Sequence, residues 1–215
     1  MSIIKIERKV LEKNDAIASD NRRQFQEKNL LVLNLLSSPG SGKTTLIEKT
    51  ITNCKFTKKI AVIEGDVQTE LDAERIEKLN IPVVQIVTNG ACHLDAQLVR
   101  DAFQGLVDIS FNLLFIENVG NLVCPAGYNL GEDHKVTIIS VTEGDDKPLK
   151  YPAAFRNSTA VVINKIDLLP HLNISLDVIR TNALKINPKL EIFEISCITG
   201  EGIEKWCNWL NSLMR

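Results

Sequence analysis

The stretch from Ser37 to Thr45 reads S-S-P-G-S-G-K-T-T, and it lies between an apolar run, Leu30 to Leu36, and a segment with helical periodicity. A buried strand, a tight turn of small residues and a helix, in this order, predict a phosphate-binding loop. In such a loop backbone N–H groups surround a phosphate, Lys43 contacts the β and γ oxygens, and the Thr44 hydroxyl ligates Mg²⁺. The residues predicted to bind the phosphates are Ser38, Pro39, Gly40, Ser41, Gly42, Lys43, Thr44 and Thr45.

The pattern G-x-x-x-x-G-K-[ST] is matched except at its first position, where Ser37 stands in place of glycine. A turn rich in glycine and serine before an amphipathic helix is the alternative interpretation of the same residues. The later loops decide between the two, because a nucleotide site needs further groups at the same edge of the sheet.

Length and composition favour one substantial domain. The chain has 215 residues, of which 44% are hydrophobic, so we expect one core over residues 30–215, preceded by a helical arm over residues 1–29. The 25 basic and 27 acidic residues nearly balance, which argues against a nucleic-acid partner. The sequence has neither an apolar run of about eighteen residues nor a signal-peptide core, so we expect a cytoplasmic protein without a membrane partner.

From Leu30 onward, short apolar runs alternate with longer amphipathic segments, which is typical of βαβ units. We therefore predict an α/β, three-layer fold of the P-loop NTPase type, with helices flanking a mostly parallel sheet. Predicted strands are Leu30–Leu36, Lys59–Ile63, Val83–Val87, Asn112–Ile116, Val136–Val141, Ala160–Ile163 and Glu191–Ile195. Predicted helices are Lys43–Thr52, Asp72–Leu79, Leu94–Phe103, Leu176–Ile186 and Ile203–Leu213, and the charged segment Met1–Asn29 is predicted to be a helical packing element outside the sheet.

Acidic residues follow two of the predicted strands, where a nucleotide's magnesium ion would lie. In Glu64-Gly65-Asp66 we predict Asp66 as the acid that faces Mg²⁺, because this ion usually takes only one or two carboxylates. Asp72 is a weaker candidate, whose alternative role is that of a first-turn residue favoured by the helix dipole.

The fourth apolar run ends in Glu117-Asn118-Val119-Gly120, which resembles a Walker B strand followed by a switch glycine. Glu117 is predicted to orient a magnesium-bound or attacking water, and Gly120 to offer a backbone N–H to the γ-phosphate. A capping carboxylate is the alternative role for Glu117.

The base is predicted from Asn164-Lys165-Ile166-Asp167, an N-K-x-D pattern after the sixth apolar run. Asp167 would accept from guanine N1–H and the exocyclic amine, which adenine cannot supply, so the pattern favours GTP and GDP over ATP. Lys165 would lie along the base, and Asn164 would tie this loop to the phosphate loop. The stretch Ser196, Cys197 and Ile198, followed by Thr199-Gly200, is predicted to contact guanine O6 through backbone amides.

A second group of residues suits a soft transition metal. Cys92 and His93 follow Asn89-Gly90-Ala91, where we predict a helix start, and Cys124 lies four residues after Gly120. Thiolate and imidazole bind Ni²⁺ or Zn²⁺, and a helix N-terminus would lower the pKa of Cys92. Three ligands leave the coordination incomplete, so water or a second chain across a twofold axis would complete it. Buried or incidental side chains are the alternative.

The remaining cysteines and histidines receive no functional assignment. Cys54, Cys207, His171 and His134 are expected to be buried or incidental. The odd total of five cysteines, without a small secreted framework, favours free thiols or metal ligands over disulfides.

The ordered stretches S-S-P-G-S-G-K-T-T, E-G-D-V, A-C-H-L-D-A, F-I-E-N-V-G-N-L-V-C-P, S-V-T-E-G-D-D-K-P and N-K-I-D resemble the HypB family, nickel-insertion GTPases of [NiFe]-hydrogenase maturation. The resemblance covers nearly the whole chain from Leu30 onward. It implies a SIMIBI-class G domain, assigns Cys92, His93 and Cys124 to the metal site, and implies a homodimer promoted by GTP or metal. It also implies a HypA-type accessory protein and a hydrogenase large-subunit precursor as partners. The N-terminal cysteine motif and histidine-rich tract of some members are not in this sequence, so we expect metal binding at the G-domain site.

Together these features predict a GTP-hydrolysing nickel metallochaperone with slow intrinsic turnover, because no glutamine or arginine finger stands beside the switch. Lys43, Asp66 and Glu117 are its predicted catalytic residues. A urease-type nickel GTPase is one alternative, although its metal motif is usually C-P-H after E-S-G-G. A small-molecule kinase would not need the N-K-x-D pattern, and a non-catalytic zinc- or nickel-binding module would bind metal regardless of nucleotide.

Overall fold

The computed structural model describes residues 6–54, 59–67 and 71–214. Within these ranges, strands and helices alternate along most of the chain, as the apolar pattern predicts. The strands are β1 (Leu31–Ser37), β2 (Ile60–Asp66), β3 (Val83–Val87), β4 (Leu113–Glu117), β5 (His134–Ser140), β6 (Ala160–Asn164) and β7 (Glu191–Ile195). The helices are α1 (Ile6–Glu27), α2 (Lys43–Asn53), α3 (Leu71–Glu77), α4 (Ala96–Gln104), α5 (Lys147–Lys150), α6 (Pro152–Asn157), α7 (Leu176–Ile186) and α8 (Ile203–Leu213).

The strands form one sheet in the order β3-β2-β4-β1-β5-β6-β7, and every pairing in it is parallel. The predicted α/β fold is confirmed, with a sheet that is parallel throughout. Because all seven strands end at one edge, the loops after β1, β2, β4 and β6 meet there. The edge beyond these carboxyl ends is therefore the place for a ligand site.

Both faces of the sheet are covered, which explains why its strands are continuous apolar runs. Alternate residues of β1 point to opposite faces: Leu33 and Leu35 pack in the core below α2 and α8, and Val32 packs in the core below α4. Trp206 of α8 is fully buried, and its indole N–H donates to Thr50 Oγ1 of α2 at 2.9 Å.

The expectation of free thiols over disulfides is wrong for one pair of cysteines. Cys54, at the end of α2, forms a disulfide with Cys207 of α8. The two residues are separated by 153 positions in the chain, and both are buried, so only the packing of α2 against α8 brings them together. Free cysteines among the described residues are Cys92, Cys124 and Cys197.

The N-terminal segment is helical from Ile6 and packs against α4, while residues 1–5 lie outside the described ranges. Phe25 is buried edge-to-face against Phe103, with ring centroids 4.9 Å apart. The Asn21 side chain donates to the carbonyls of Ala96 and Leu130. The segment therefore covers one edge of the core.

Several element boundaries differ from the predicted ones. Helix α4 starts at Ala96 instead of Leu94, because Asp95 occupies the N-cap and accepts from Leu98 N–H at 2.8 Å. Strand β5 starts at His134 and ends at Ser140, and the short helices α5 and α6 were not predicted because each is only about one turn long. In the described part of the chain, no helix has the length and apolar character needed to cross a membrane.

Candidate nucleotide and metal sites

The phosphate loop leaves the end of β1 and leads directly into α2 at Lys43. Gly40 and Gly42 have φ angles of +74° and +95°, a left-handed region that favours glycine. A Cβ atom on Gly42 would also lie 2.5 Å from the Asn164 side chain. The phosphate loop is therefore shaped by its own backbone and by the neighbouring loop after β6, Asn164 to Asp167, called the base loop below. The N-terminus of α2 is directed at the site.

Ser37 has a definite role at the position where the pattern has glycine. Its side chain is fully buried, and its hydroxyl accepts from Lys43 Nζ at 3.1 Å and donates to the Ser38 carbonyl at 2.6 Å. Lys43 Nζ also lies 3.9 Å from Glu117 Oε1. The serine thus positions the lysine, which a glycine could not do.

The carboxylate of Glu117 lies beside the start of α2. Its Oε1 accepts from Thr44 Oγ1 at 2.7 Å. Carboxylate oxygens of Glu64, Asp72 and Glu117 lie within 4.8 Å of one another. Burial raises the pKa of Glu117, and burial together with the nearby Glu117 raises the pKa of Glu64 to about 8. Hard oxygen ligands beside the phosphate loop suit Mg²⁺, so these residues fit that ion.

The two acids predicted from β2 and the next helix are placed differently. Asp72 lies in the first turn of α3 and pairs with Arg75 at 2.8 Å, and Arg75 also pairs with Glu48 at 2.7 Å. Asp66 ends β2 and accepts from Val67 N–H. Among the described residues, Glu64 and not Asp66 belongs to the carboxylate group with Glu117. The predicted strand ended at Ile63, which placed Glu64 and Asp66 together in the following loop, whereas β2 continues to Asp66 and contains Glu64.

The loop after β4 lies over the phosphate loop. A Cβ atom on Gly120 would be 3.2 Å from Pro39, so the two loops are in close contact. Asn118 is buried, and its Oδ1 accepts from Leu94 N–H at 3.1 Å while its Nδ2 donates to Asn34 Oδ1 at 3.2 Å. Sequence reasoning gave Asn118 no role, although it follows the predicted Walker B acid directly.

The base loop is joined to the phosphate loop by two hydrogen bonds. Asn164 Nδ2 donates to the Ser41 carbonyl at 2.9 Å, which is the predicted contact. Lys165 has a left-handed φ of +65°, and its Nζ donates to the Gly40 carbonyl at 2.7 Å. The lysine stem therefore extends across the space between the two loops, where a base would lie against it.

Asp167 and the loop after β7 are also adjacent. The Ser196 hydroxyl donates to Asp167 Oδ1, and Asn164 Oδ1 accepts from Cys197 N–H at 3.3 Å. Burial raises the pKa of the Cys197 thiol to about 11, so it stays protonated at neutral pH. Ile198 is 77% exposed at the tip of this loop. The structure thus brings the predicted base-binding residues to one place.

Two further residues support the phosphate loop and were given no role from the sequence. Glu143 Oε1 accepts from Ser41 Oγ at 2.6 Å, and Glu143 Oε2 lies 3.0 Å from Lys147 Nζ. Lys147 also donates to Ser38 Oγ at 3.2 Å. Burial opposes ionisation of Glu143, but its hydrogen bonds with Ser41, Ser38, the Ser140 N–H and Lys147 lower its pKa. Glu143 and Lys147 lie in the stretch S-V-T-E-G-D-D-K-P, which was the available signal.

Cys92, His93 and Cys124 form the second group, with their ligand atoms within 4.8 Å of one another. Cys92 Sγ lies 3.6 Å from His93 Nδ1, and the His93 ring packs on Tyr128 with centroids 4.0 Å apart. Asn121 Nδ2 donates to the Cys92 carbonyl at 3.3 Å. The segment after β4 therefore supplies Cys124 itself and also contacts Cys92 through Asn121.

The pKa of Cys92 is raised, whereas the sequence predicted that a helix N-terminus would lower it. Cys92 lies four residues before α4 and so does not begin a helix, and hydrogen bonding with Cys124 raises its pKa. Burial lowers the pKa of His93, which favours the neutral imidazole that a metal requires. Two thiols and one imidazole at this separation suit Ni²⁺ or Zn²⁺.

The other histidines lie away from both sites. His134 Nδ1 is 3.2 Å from Thr159 Oγ1 at the start of β5, at the opposite edge of the sheet, and its ring packs against Trp209. His171 is exposed in a short 3₁₀ turn.

Comparison with known proteins agrees with this arrangement. The family model described as "CobW/HypB/UreG, nucleotide-binding domain" matches residues 31–194. The hydrogenase maturation factor HypB of Azotobacter chroococcum is 50% identical over 208 residues, which cover 97% of this chain and 68% of that protein. The crystal structure of the Archaeoglobus fulgidus hydrogenase maturation factor HypB superposes with a TM-score of 0.89 at 38% identity, covering 95% of this chain and 100% of that one.

A second solved structure is of HypB from Helicobacter pylori in complex with nickel. It has a TM-score of 0.89 and 41% identity, and the match covers 93% of this chain and 94% of that one. The match of the family model to most of the chain, and the identity over nearly its whole length, agree with the motifs and the fold. The chain therefore belongs to the HypB family of hydrogenase maturation factors, within the CobW/HypB/UreG nucleotide-binding domains.

Proposed function

We propose that the chain is a GTP-hydrolysing metallochaperone that binds nickel and delivers it during [NiFe]-hydrogenase maturation. One observation carries this proposal: β4 ends at Glu117, which contacts Thr44 of the phosphate-binding helix, and the loop that follows reaches Cys124 of the metal group seven residues after Glu117. A single loop is thus part of both sites.

At the nucleotide site, the loop amides and Lys43 bind the phosphates, and Asp167 selects guanine. Thr44, Glu117 and Asp66 are the residues proposed to hold Mg²⁺, which would neutralise the β- and γ-phosphate oxygens. Glu117 positions the attacking water, and Gly120 beside Pro39 senses the γ-phosphate through its backbone N–H. With no arginine finger proposed, intrinsic hydrolysis is slow.

At the metal site, Cys92, His93 and Cys124 bind Ni²⁺ as cargo, and Zn²⁺ suits the same ligands. Three ligands from one chain leave room for a ligand from a second copy, so GTP or metal promotes a homodimer. A HypA-type accessory protein and the hydrogenase large-subunit precursor are the proposed partners in delivery. Hydrolysis releases the switch loop and loosens the metal ligands.

The test is to measure Ni²⁺ affinity with GDP bound and with a non-hydrolysable GTP analogue bound. We expect the two affinities to differ by about 1 to 3 kcal/mol, the usual size of a coupling free energy. Because coupling is reciprocal, Ni²⁺ must change the preference for the analogue over GDP by the same factor. Equal Ni²⁺ affinity in both states, or failure to hydrolyse GTP at all, would contradict the proposal.

A further inference from the structure

Two carboxyl groups face each other across β2 and β4, close to the phosphate loop. The parallel register places Glu64 directly beside Glu117, and each residue is only 2% exposed. Among the described residues, Oε2 of Glu64 and Oε2 of Glu117 are buried without a hydrogen-bond partner. Buried polar atoms of this kind are rare in folded proteins and call for a partner such as water or an ion, because leaving them unsatisfied costs free energy.

The cations close to this pair are already engaged elsewhere. Arg75 is held by Glu48 and Asp72. Lys43 donates to Ser37 and approaches only the Glu117 side of the pair, at 3.9 Å. In the described part of the chain, no lysine, arginine or histidine forms an ion pair with Glu64. Two facing buried acids with only Lys43 near one of them leave an excess of negative charge, which a divalent ion would neutralise.

We propose that Glu64 provides a further carboxylate of the magnesium site, beside Glu117. This inference rests on the proposed nucleotide function and extends it to a residue with no assigned role. The geometry favours Glu64 because an oxygen of its carboxylate lies within 4.8 Å of Glu117 and Asp72 oxygens. Carboxylate and hydroxyl oxygens are the donors that Mg²⁺ prefers.

The experiment titrates Mn²⁺ into the GDP-saturated protein and follows the free ion by electron paramagnetic resonance. Mn²⁺ replaces Mg²⁺ at oxygen ligands and has little preference for the thiolates of the cysteine group. The variants are Glu64→Gln, which keeps the side chain's shape, and Glu64→Asp, which keeps the charge but withdraws it by one methylene. Glu191→Gln at the exposed start of β7 is the matched control for the loss of one charge.

We expect Glu64→Gln to weaken Mn²⁺ binding by about ten- to a hundredfold, as for losses of supporting groups at metal sites. Glu64→Asp should lie between that variant and wild type, and Glu191→Gln should match wild type. GDP affinity measured in EDTA should be unchanged in Glu64→Gln, which shows that the loop is intact. Unchanged Mn²⁺ affinity in Glu64→Gln would overturn the assignment. Failure of wild type to bind GDP would overturn the proposed function itself, so the two failures are distinguishable.

Discussion

The proposed nucleotide site and the proposed metal site lie at the same edge of the sheet but are built differently. Nucleotide-site residues are supported by buried side chains: Ser37, Thr44, Glu117 and Asn164 are each at most 5% exposed. The metal ligands are partly exposed, on a bend before α4 and on a 3₁₀ turn at Cys124–Gly127. The first site is preformed by packing, while the second depends on how two loops meet.

This difference fits the proposal that one loop serves both sites. Glu117, the last residue of β4, and Asn118, which starts the loop, are held by hydrogen bonds with Thr44, Asn34 and Leu94. The later part of the loop has less support, and Val123, next to Cys124, is 63% exposed.

The largest effect that we predict is at the phosphate loop. Lys43→Ala removes the charge that Ser37 positions, so nucleotide binding should be lost by fluorescence titration with a labelled GDP. Lys185→Ala, an exposed lysine of α7, is the control and should bind GDP normally. Retained GDP affinity in Lys43→Ala would show that the nucleotide does not bind in the preformed site beside Lys43.

The next effect concerns the base. Asp167→Asn should weaken GDP binding by at least about a hundredfold, because a site built on hydrogen bonds to a base discriminates strongly. Competition with XDP in the same titration separates lost base pairing from misfolding, since an amide at this position suits xanthine. If GDP and XDP affinities are the same as in wild type, Asp167 does not contact the base.

At the metal site, Cys92→Ala should weaken Ni²⁺ binding by more than about a hundredfold, because outer-shell partners alone contribute roughly ten- to a hundredfold. GDP affinity, measured by the same labelled-nucleotide titration, should stay at the wild-type value, since Cys92 lies outside the buried nucleotide network. A parallel loss of GDP binding would mean that Cys92 also supports the nucleotide site, so that the two sites are not built separately.

The smallest predicted effect is on the link between the sites. Asn121→Ala removes the hydrogen bond to the Cys92 carbonyl, worth about 0.5 to 1.5 kcal/mol. The ratio of Ni²⁺ affinities with GDP and with a GTP analogue should therefore move toward one by a fewfold, while GDP affinity alone does not change. A ratio identical to that of wild type would remove Asn121 from the coupling.

Some features of the two sites follow from local spacing in the sequence, and others depend on strand pairing. The strand-loop-helix pattern around Lys43 and the N-K-x-D stretch at Asn164 depend on local spacing, so their positions at strand ends could be predicted. Whether Asp66 or Glu64 lies beside Glu117 could not be predicted in the same way. Both point to one face of β2, and only the register with β4 shows that Glu64 lies beside Glu117.

The sequence by itself determined the parallel α/β fold, the family, and the candidate groups for phosphate, guanine and metal, because each depends on residue type and spacing over a few positions. The tertiary structure alone decided the Cys54–Cys207 disulfide, the support of the phosphate loop by Glu143 and Lys147, and the buried contacts of Asn118. These pairs are distant in the chain, and only the packing of strands and helices sets the distances between them. The phosphate loop, recognisable from nine residues, is thus held in place by residues from β4, β6 and the segment after β5.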